Sequence, residues 1–116
     1  TAKQLPNTYL GLLMLQVTVQ FIDFFDQKIA IIFDQNWFQE DIILLRKPLL
    51  NKIPDHQIKE ITLGADRESI RFLWQTAEFV LNFDCYSQSC WICAQDEISA
   101  TKIQSLYNLL TLSHVR

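Results

Sequence analysis

Glycine and proline are scarce in this chain, with two and three residues respectively among 116. Disordered and low-complexity chains are rich in both, so their scarcity indicates a folded chain. Two glycines are also too few for a glycine-rich phosphate-binding loop. No serine lies in a G-x-S-x-G motif, and no other catalytic motif is present. We therefore expect no catalytic residues and favour a non-enzymatic domain.

Basic residues are in the minority, with 10 Lys and Arg against 13 Asp and Glu and a formal net charge of −3. Nucleic acids and anionic membrane surfaces attract clustered Lys and Arg, so we expect neither as a partner. Long apolar runs are missing too. Residues 9–15 form an apolar run that is too short to span a bilayer and lacks the flanks of a signal peptide.

Hydrophobic residues are plentiful, at 49% of the chain, and they include eight Phe and three Trp. This composition supplies enough large apolar side chains for a sizeable core. The length fits one domain over residues 1–116, in which we expect residues 1–8, polar and containing Pro6, to be poorly fixed.

The centre of the chain predicts three consecutive antiparallel strands, at residues 70–75, 78–85 and 90–94. With reversals at Thr76-Ala77 and Ser87-Gln88, the residues that oppose one another across the three strands all lie on one face. The predicted opposite pairs are Trp74 and Phe79, Phe72 and Leu81, Ile70 and Phe83, Phe83 and Ile92, Leu81 and Ala94, and Cys85 and Cys90. The other face is mixed and contains Leu73, Val80, Trp91 and Cys93 beside polar residues, so we expect it to be at least partly exposed to solvent.

Two further strands are predicted before this meander. Residues 13–21 alternate in polarity, with Val17, Val19 and Phe21 on the buried side, and residues 28–33 follow a turn at Asp26-Gln27. A helix competes for residues 9–25, but the Val-Thr-Val sequence favours a strand.

A helix should follow the second strand, capped by Asp34 or Asn36. Its apolar residues include Trp37, Phe38 and Ile42, and Pro48 should end or kink it near residue 47.

The remaining elements are a short strand at residues 58–63, a turn at residues 64–66 and a last helix at residues 97–112 capped by Asp96. Ile103, Leu106, Tyr107 and Leu110 form the apolar stripe of that helix, with Ile98 and Leu109 nearby. The order β-β-α-β-β-β-β-α predicts an α+β fold with a mainly antiparallel sheet and helices packed on one face.

Several short motifs resemble a small family of uncharacterised bacterial proteins, a domain of unknown function. They are Gly64-Ala65-Asp66-Arg67, the strand ending Phe72-Leu73-Trp74, residues 79–83, Ser87-Gln88-Ser89, and Trp91. The resemblance covers roughly residues 58–95. It implies a small cytosolic α+β domain, but it gives no known activity or site residue that could be assigned to this chain.

Cys85, Cys90 and Cys93 form a C-x4-C-x2-C pattern, which is part of an iron–sulfur ligand set that would need a fourth ligand such as His114. An odd number of closely spaced cysteines is unlike a secreted disulfide framework, which favours a cytoplasmic location. Because Cys93 points away from the other two in the predicted register, we expect no metal and no cofactor. The alternatives for Cys85 and Cys90 are a redox pair across the hairpin or two small core residues.

The mixed face suggests a contact surface made of Leu73, Val80, Trp91 and Cys93, since large apolar patches on open sheets usually meet another surface. We expect a protein partner or a homo-oligomer there, with burial within the chain as the competing interpretation. A thiol-based redox or metal-binding role is the alternative function. An enzyme that uses His56 with Asp55 would require a pocket at that loop.

Overall fold

In the part of the chain that the structure describes, six strands form one antiparallel sheet with the order β1-β2-β6-β5-β4-β3. The structure is a computed structural model that describes residues 17–115, with side chains described for residues 17–112. The predicted poorly fixed residues 1–8 and the first part of the strand predicted at 13–21 lie outside the described residues.

The sheet is built from a hairpin and a four-stranded meander. The hairpin comprises β1 (Val19–Phe25) and β2 (Lys28–Phe33); the meander comprises β3 (Gln57–Leu63), β4 (Arg67–Trp74), β5 (Ala77–Asp84) and β6 (Ser89–Ala94). A 3-10 turn at Gln39–Asp41 precedes helix α1 (Ile42–Asn51), while α2 (Glu97–Ala100) and α3 (Ile103–Val115) follow the meander. The α+β class and the order of strands and helices are confirmed.

One cluster of buried residues lies between the sheet and the helices. Phe79, Leu81 and Phe83 of β5 are at most 1% exposed, while their alternate neighbours Val80 and Asn82 are only half-buried. Ile42, Leu45, Leu49 and Leu50 of α1 and Ile103, Leu106 and Leu110 of α3 belong to the same cluster. Helix α3 lies against β1 and β2, and α2 lies against β5 and β6.

The predicted facing of the meander is correct, but its register differs by two residues at both turns. Trp74 pairs with Ala77, Phe72 with Phe79, and Ile70 with Leu81. The first turn is therefore Gln75-Thr76 and not Thr76-Ala77, with φ values of 52° and 69°. Two positive φ values are typical of a two-residue hairpin turn whose twist matches that of the strands. An even shift leaves each side chain on its predicted face.

The second meander turn, residues 85–88, is shifted in the same way. Phe83 pairs with Cys90, Leu81 with Ile92, and Phe79 with Ala94. The predicted opposition of Cys85 and Cys90 is therefore wrong.

A bulge in β1 reverses the predicted facing of that strand. The register between β1 and β2 shifts between Val19 and Phe21. As a result Ile22 is buried, while Phe21, predicted to be buried, is 48% exposed. One extra residue in a strand moves all later side chains to the other face, which explains the error. The turn at Asp26-Gln27, with φ values of 53° and 59°, is confirmed.

Helix α1 differs from the prediction at both ends. The Asp34 carboxylate does not cap it but accepts hydrogen bonds of 2.9 Å from the Thr18 amide and hydroxyl, which lower the pKa of Asp34. The first turn is instead closed by Asp41, whose carboxylate accepts from the Phe38 amide at 2.9 Å. Pro48 lies inside the helix, which continues to Asn51.

The C-terminal helix is divided in two by a turn at Thr101-Lys102. Asp96 caps α2 as predicted, because its carboxylate accepts from the Ser99 amide at 2.7 Å, and this bond lowers the pKa of Asp96. The stripe residues Ile103, Leu106 and Leu110 are buried as predicted. Ile98, expected beside that stripe, is 82% exposed.

Candidate functional site

The candidate site is the sheet face opposite the core, called here the open face. The described helices send their buried side chains to the core cluster on the other side of the sheet. The open-face residues of β4, β5 and β6 alternate with buried ones and remain partly exposed. Residues on a strand alternate between faces, so this placement follows from the core alternation.

Three of the four residues predicted as a contact surface are neighbours on the open face. Val80 of β5 pairs directly with Cys93 of β6, and Trp91 pairs with Asn82 in the next open-face row. Leu73 lies on β4 opposite Glu78, at the margin of this group. All four predicted residues are half-buried.

The hairpin enlarges this surface with residues that sequence reasoning missed. Ala30 of β2 pairs with Trp91, and Ile32 pairs with Phe21 of β1. Phe21 and Phe25 are 48% and 60% exposed. Because of the bulge in β1, the alternation pattern assigns Phe21 to the wrong face. The pairing of β2 with β6 joins distant segments, so local sequence does not predict it. We call the following set the apolar half of the open face: Phe21, Phe25, Ala30, Ile32, Val80, Trp91 and Cys93. Two charged residues of the hairpin lie among them, Asp23 opposite Ala30 and Lys28 opposite Phe25.

A groove of about 290 Å³ lies in the apolar half, lined by residues that include Phe25, Ala30, Ile32 and Trp91. The ladder between β2 and β6 comprises two residue pairs, Ile29 with Ile92 and Ala30 with Trp91. The groove therefore lies where a short ladder joins the hairpin to the meander.

The other half of the open face, on β3, β4 and β5, is polar and internally paired. The Arg71 guanidinium donates to Glu78 at 2.8 Å and to Glu60 at 3.3 Å, and the Glu78 bond is the main reason that the pKa of Arg71 is raised. The Ser69 hydroxyl donates to the Asn82 side chain at 2.9 Å. These groups satisfy one another, so the apolar half is the part of the face that gains most from being covered.

The structure does not bring the three cysteines together as one site. Cys90 is buried and faces the core, Cys93 lies on the open face, and Cys85 lies in the turn at residues 85–88. All three are free thiols. Burial raises the pKa of Cys90 well above its usual value, which disfavours the reactive thiolate. Within the described residues, no group of three or more His, Cys, Asp or Glu side chains could hold a metal ion.

His56 and Asp55 do not form a dyad. The His56 ring donates from Nδ1 to the Ile53 carbonyl at 2.8 Å, which fixes the ring within its own loop. No hydrogen bond joins the ring to the Asp55 carboxylate. The ring does line a groove beside α1, but Asp55 is not part of that groove.

Comparison with protein families matches residues 19–112 to a family described as protein of unknown function (DUF3630). The chain belongs to this family. The matched stretch runs from the start of β1 into α3 and is longer than the 58–95 segment on which the resemblance was based. None of the curated proteins and none of the solved structures matches the chain. Among the described helices, none has the length and apolarity needed to cross a membrane.

Proposed function

We propose that this DUF3630 domain is a non-enzymatic contact module that binds a protein through the apolar half of its open face. The observation that carries the proposal is that the described helices pack on one face of the sheet, while the other face presents Trp91 beside Val80 and Cys93 and, on the hairpin, the exposed ring of Phe21. Covering such a surface removes apolar area from water, which is the main driving force of association.

A second copy of the chain is the simplest partner for this surface. Two copies that meet by their open faces would each cover the apolar half of the other, and such isologous contacts are the commonest in symmetric oligomers. A cytoplasmic location is part of the proposal, supported by an odd number of cysteines that are all free.

The test is a Trp91→Glu variant examined by sedimentation velocity over a range of concentrations. We expect the native protein to associate and the variant to sediment as a monomer, because a carboxylate at the centre of a covered surface would be desolvated without a partner. Tyr86→Glu is the matched control, since Tyr86 is an 88% exposed aromatic residue in the turn after β5. It should associate like the native protein.

Circular dichroism and thermal unfolding of both variants complete the test. An associated Trp91→Glu protein would contradict the proposal, and so would a native protein that stays monomeric and binds no protein partner. An unfolded Trp91→Glu variant would show instead that Trp91 supports the fold.

The thiol-based alternative has less support. Cys85 and Cys90 are not opposite each other, and the Cys90 thiol lies in the core. Intact mass with and without reductant would test it, because a reversible disulfide lowers the mass by two hydrogen atoms.

A further inference from the structure

A second surface, separate from the open face, lies on the helix side of the sheet at its β3 edge. Strand β3 pairs with β4 on one side and has no strand on the other among residues 17–115. Every residue of β3 is exposed. An edge strand offers a row of unpaired backbone amides and carbonyls, which can bind another extended segment.

The side chains of β3 add an apolar row to this edge. Ile58, Ile61 and Leu63 pair with Phe72, Ile70 and Glu68 of β4, so they lie on the helix side of the sheet. Yet they are 46%, 41% and 69% exposed, because α1 does not reach over them. Isolated exposed apolar residues are common, but three on the same side of one edge strand form a continuous apolar strip.

Helix α1 supplies the wall beside this strip. Ile43 of α1 is 59% exposed, and it lines a groove of about 330 Å³ with Leu50, His56 and Ile58. In a strand added outside β3, every second side chain would point to the helix side of the sheet, where it could contact both this groove and the strip.

The residues that line the groove include Arg46, Lys47 and His56 and no carboxylate, although the whole chain is acidic. Residues 42–63 contain four basic and two acidic residues, whereas the chain has a net charge of −3. Arg46 is paired with Glu68, and Glu60 with Arg71. Lys47, which lines the groove, and Lys59 of β3 are exposed and form no salt bridge with any described residue.

We propose that the β3 edge and the α1–β3 groove bind an extended acidic peptide segment of a partner protein as a seventh strand. Its alternate apolar side chains cover Ile61, Leu63 and the groove on the helix side of the sheet, and the carboxylates between them, which point away from the groove, lie near Lys59. A second copy fits this edge less well, because pairing two β3 strands would bring their basic surroundings together.

The bulge between Ile58 and Glu60 restricts which segments can bind. Lysines and bulges on edge strands discourage indiscriminate pairing. Here they leave Glu60–Leu63 as the regular part of the edge, and Lys59 favours a segment that brings negative charge. This inference does not depend on the proposal for the open face.

The test uses the full chain and three short capped peptides that alternate valine with glutamate, valine with lysine, or serine with glutamate. We expect the valine–glutamate peptide to bind and the other two to bind about tenfold more weakly or not at all, because each lacks either the charge or the apolar side chains. Amide chemical shifts should change along β3 and α1, and those of Trp91 should not.

Two variants with matched controls locate the binding. Leu63→Ser and Lys59→Glu should each weaken binding of the valine–glutamate peptide about tenfold. Leu112→Ser and Lys102→Glu are the controls, because Leu112 is 71% exposed and Lys102 is exposed, both away from the groove. The controls should bind as the native chain does.

Three results would overturn the inference. One is no binding of the valine–glutamate peptide, and another is equal binding of the valine–lysine peptide. The third is a dimer that Leu63→Ser dissociates, which would make a second copy the occupant of the edge. Unchanged binding by the Trp91→Glu variant would show that this surface works independently of the open face.

Discussion

Among the described residues with positive φ, Thr76 is the β-branched one and should carry the most conformational strain. It lies at the second central position of the β4–β5 turn with φ 69°, a region that β-branched residues rarely adopt. The turn has this form because Phe72 and Phe79 pair in the core, which requires the strands to reverse after Trp74. Core packing thus imposes on Gln75 and Thr76 a turn that their own preferences oppose.

Replacing Thr76 with glycine should stabilise the protein by about 1 kcal/mol. Relief of left-handed strain, roughly 1–2 kcal/mol, exceeds the entropic cost of glycine, roughly 0.5–1 kcal/mol. Denaturant unfolding would measure the change. Thr62→Gly is the control. Thr62 lies exposed in β3, where glycine brings only its entropic cost, so this variant should be less stable than the native protein. A less stable Thr76→Gly protein would contradict the strain argument.

Among the elements, α1 shows most clearly how tertiary contacts override local signals. Pro48 lies inside the helix and lacks the amide that would bond to the carbonyl of residue 44. The helix continues because Leu49 and Leu50, beyond the proline, are at most 3% exposed in the core. Burying two leucines stabilises the last turn by several kcal/mol, which offsets the roughly 3 kcal/mol that an interior proline costs.

Pro48→Ala should therefore raise the free energy of unfolding by about 1–2 kcal/mol. The gain is smaller than the full proline penalty because alanine also increases the entropy of the unfolded chain. Pro48 is exposed, so no packing is lost. Lys47→Ala, at the preceding exposed position, should change stability little. If Pro48→Ala instead loses stability, the proline ring makes contacts that outweigh the missing hydrogen bond.

At the scale of the whole molecule, a β-ladder and a helix both help to join the hairpin to the meander. The β2–β6 ladder has two residue pairs, whereas β4 and β5 share eight. Helix α3 provides the second connection, since it lies against β1 and β2, and Tyr107 stacks on Phe24 with ring centroids 5.2 Å apart. The hairpin should therefore depend on α3 more than the meander does.

Leu106→Ala should weaken this connection, because Leu106 is fully buried in α3. We expect a loss of about 2–5 kcal/mol, and hydrogen exchange should accelerate in β1 and β2 before β4 and β5. Leu45→Ala in α1 is the control, a buried leucine whose loss should not single out the hairpin. Equal acceleration across the sheet would show that hairpin and meander open as one unit.

Local sequence was enough for part of the fold and of the candidate site. The alternation of Phe79, Leu81 and Phe83 with Val80 and Asn82 reflects a period of two, so facing was predictable even where register was not. Trp91 and Cys93 were placed on the open face for the same reason. The predicted register differs from the observed one by two residues, because an even shift leaves every side chain on the same face and the hydrophobic pattern cannot detect it.

Sequence reasoning predicted the α+β class, the order of elements, the faces of the residues in β4, β5 and β6, and the cap at Asp96. These follow from local periodicity and from hydrogen bonds between near neighbours in the chain. The folded chain alone reveals the bulge in β1, the pairing of β2 with β6, the separation of Cys85 from Cys90 and the exposure of the β3 edge. Each depends on contacts between distant segments, whose free energies exceed the local preferences of the residues involved.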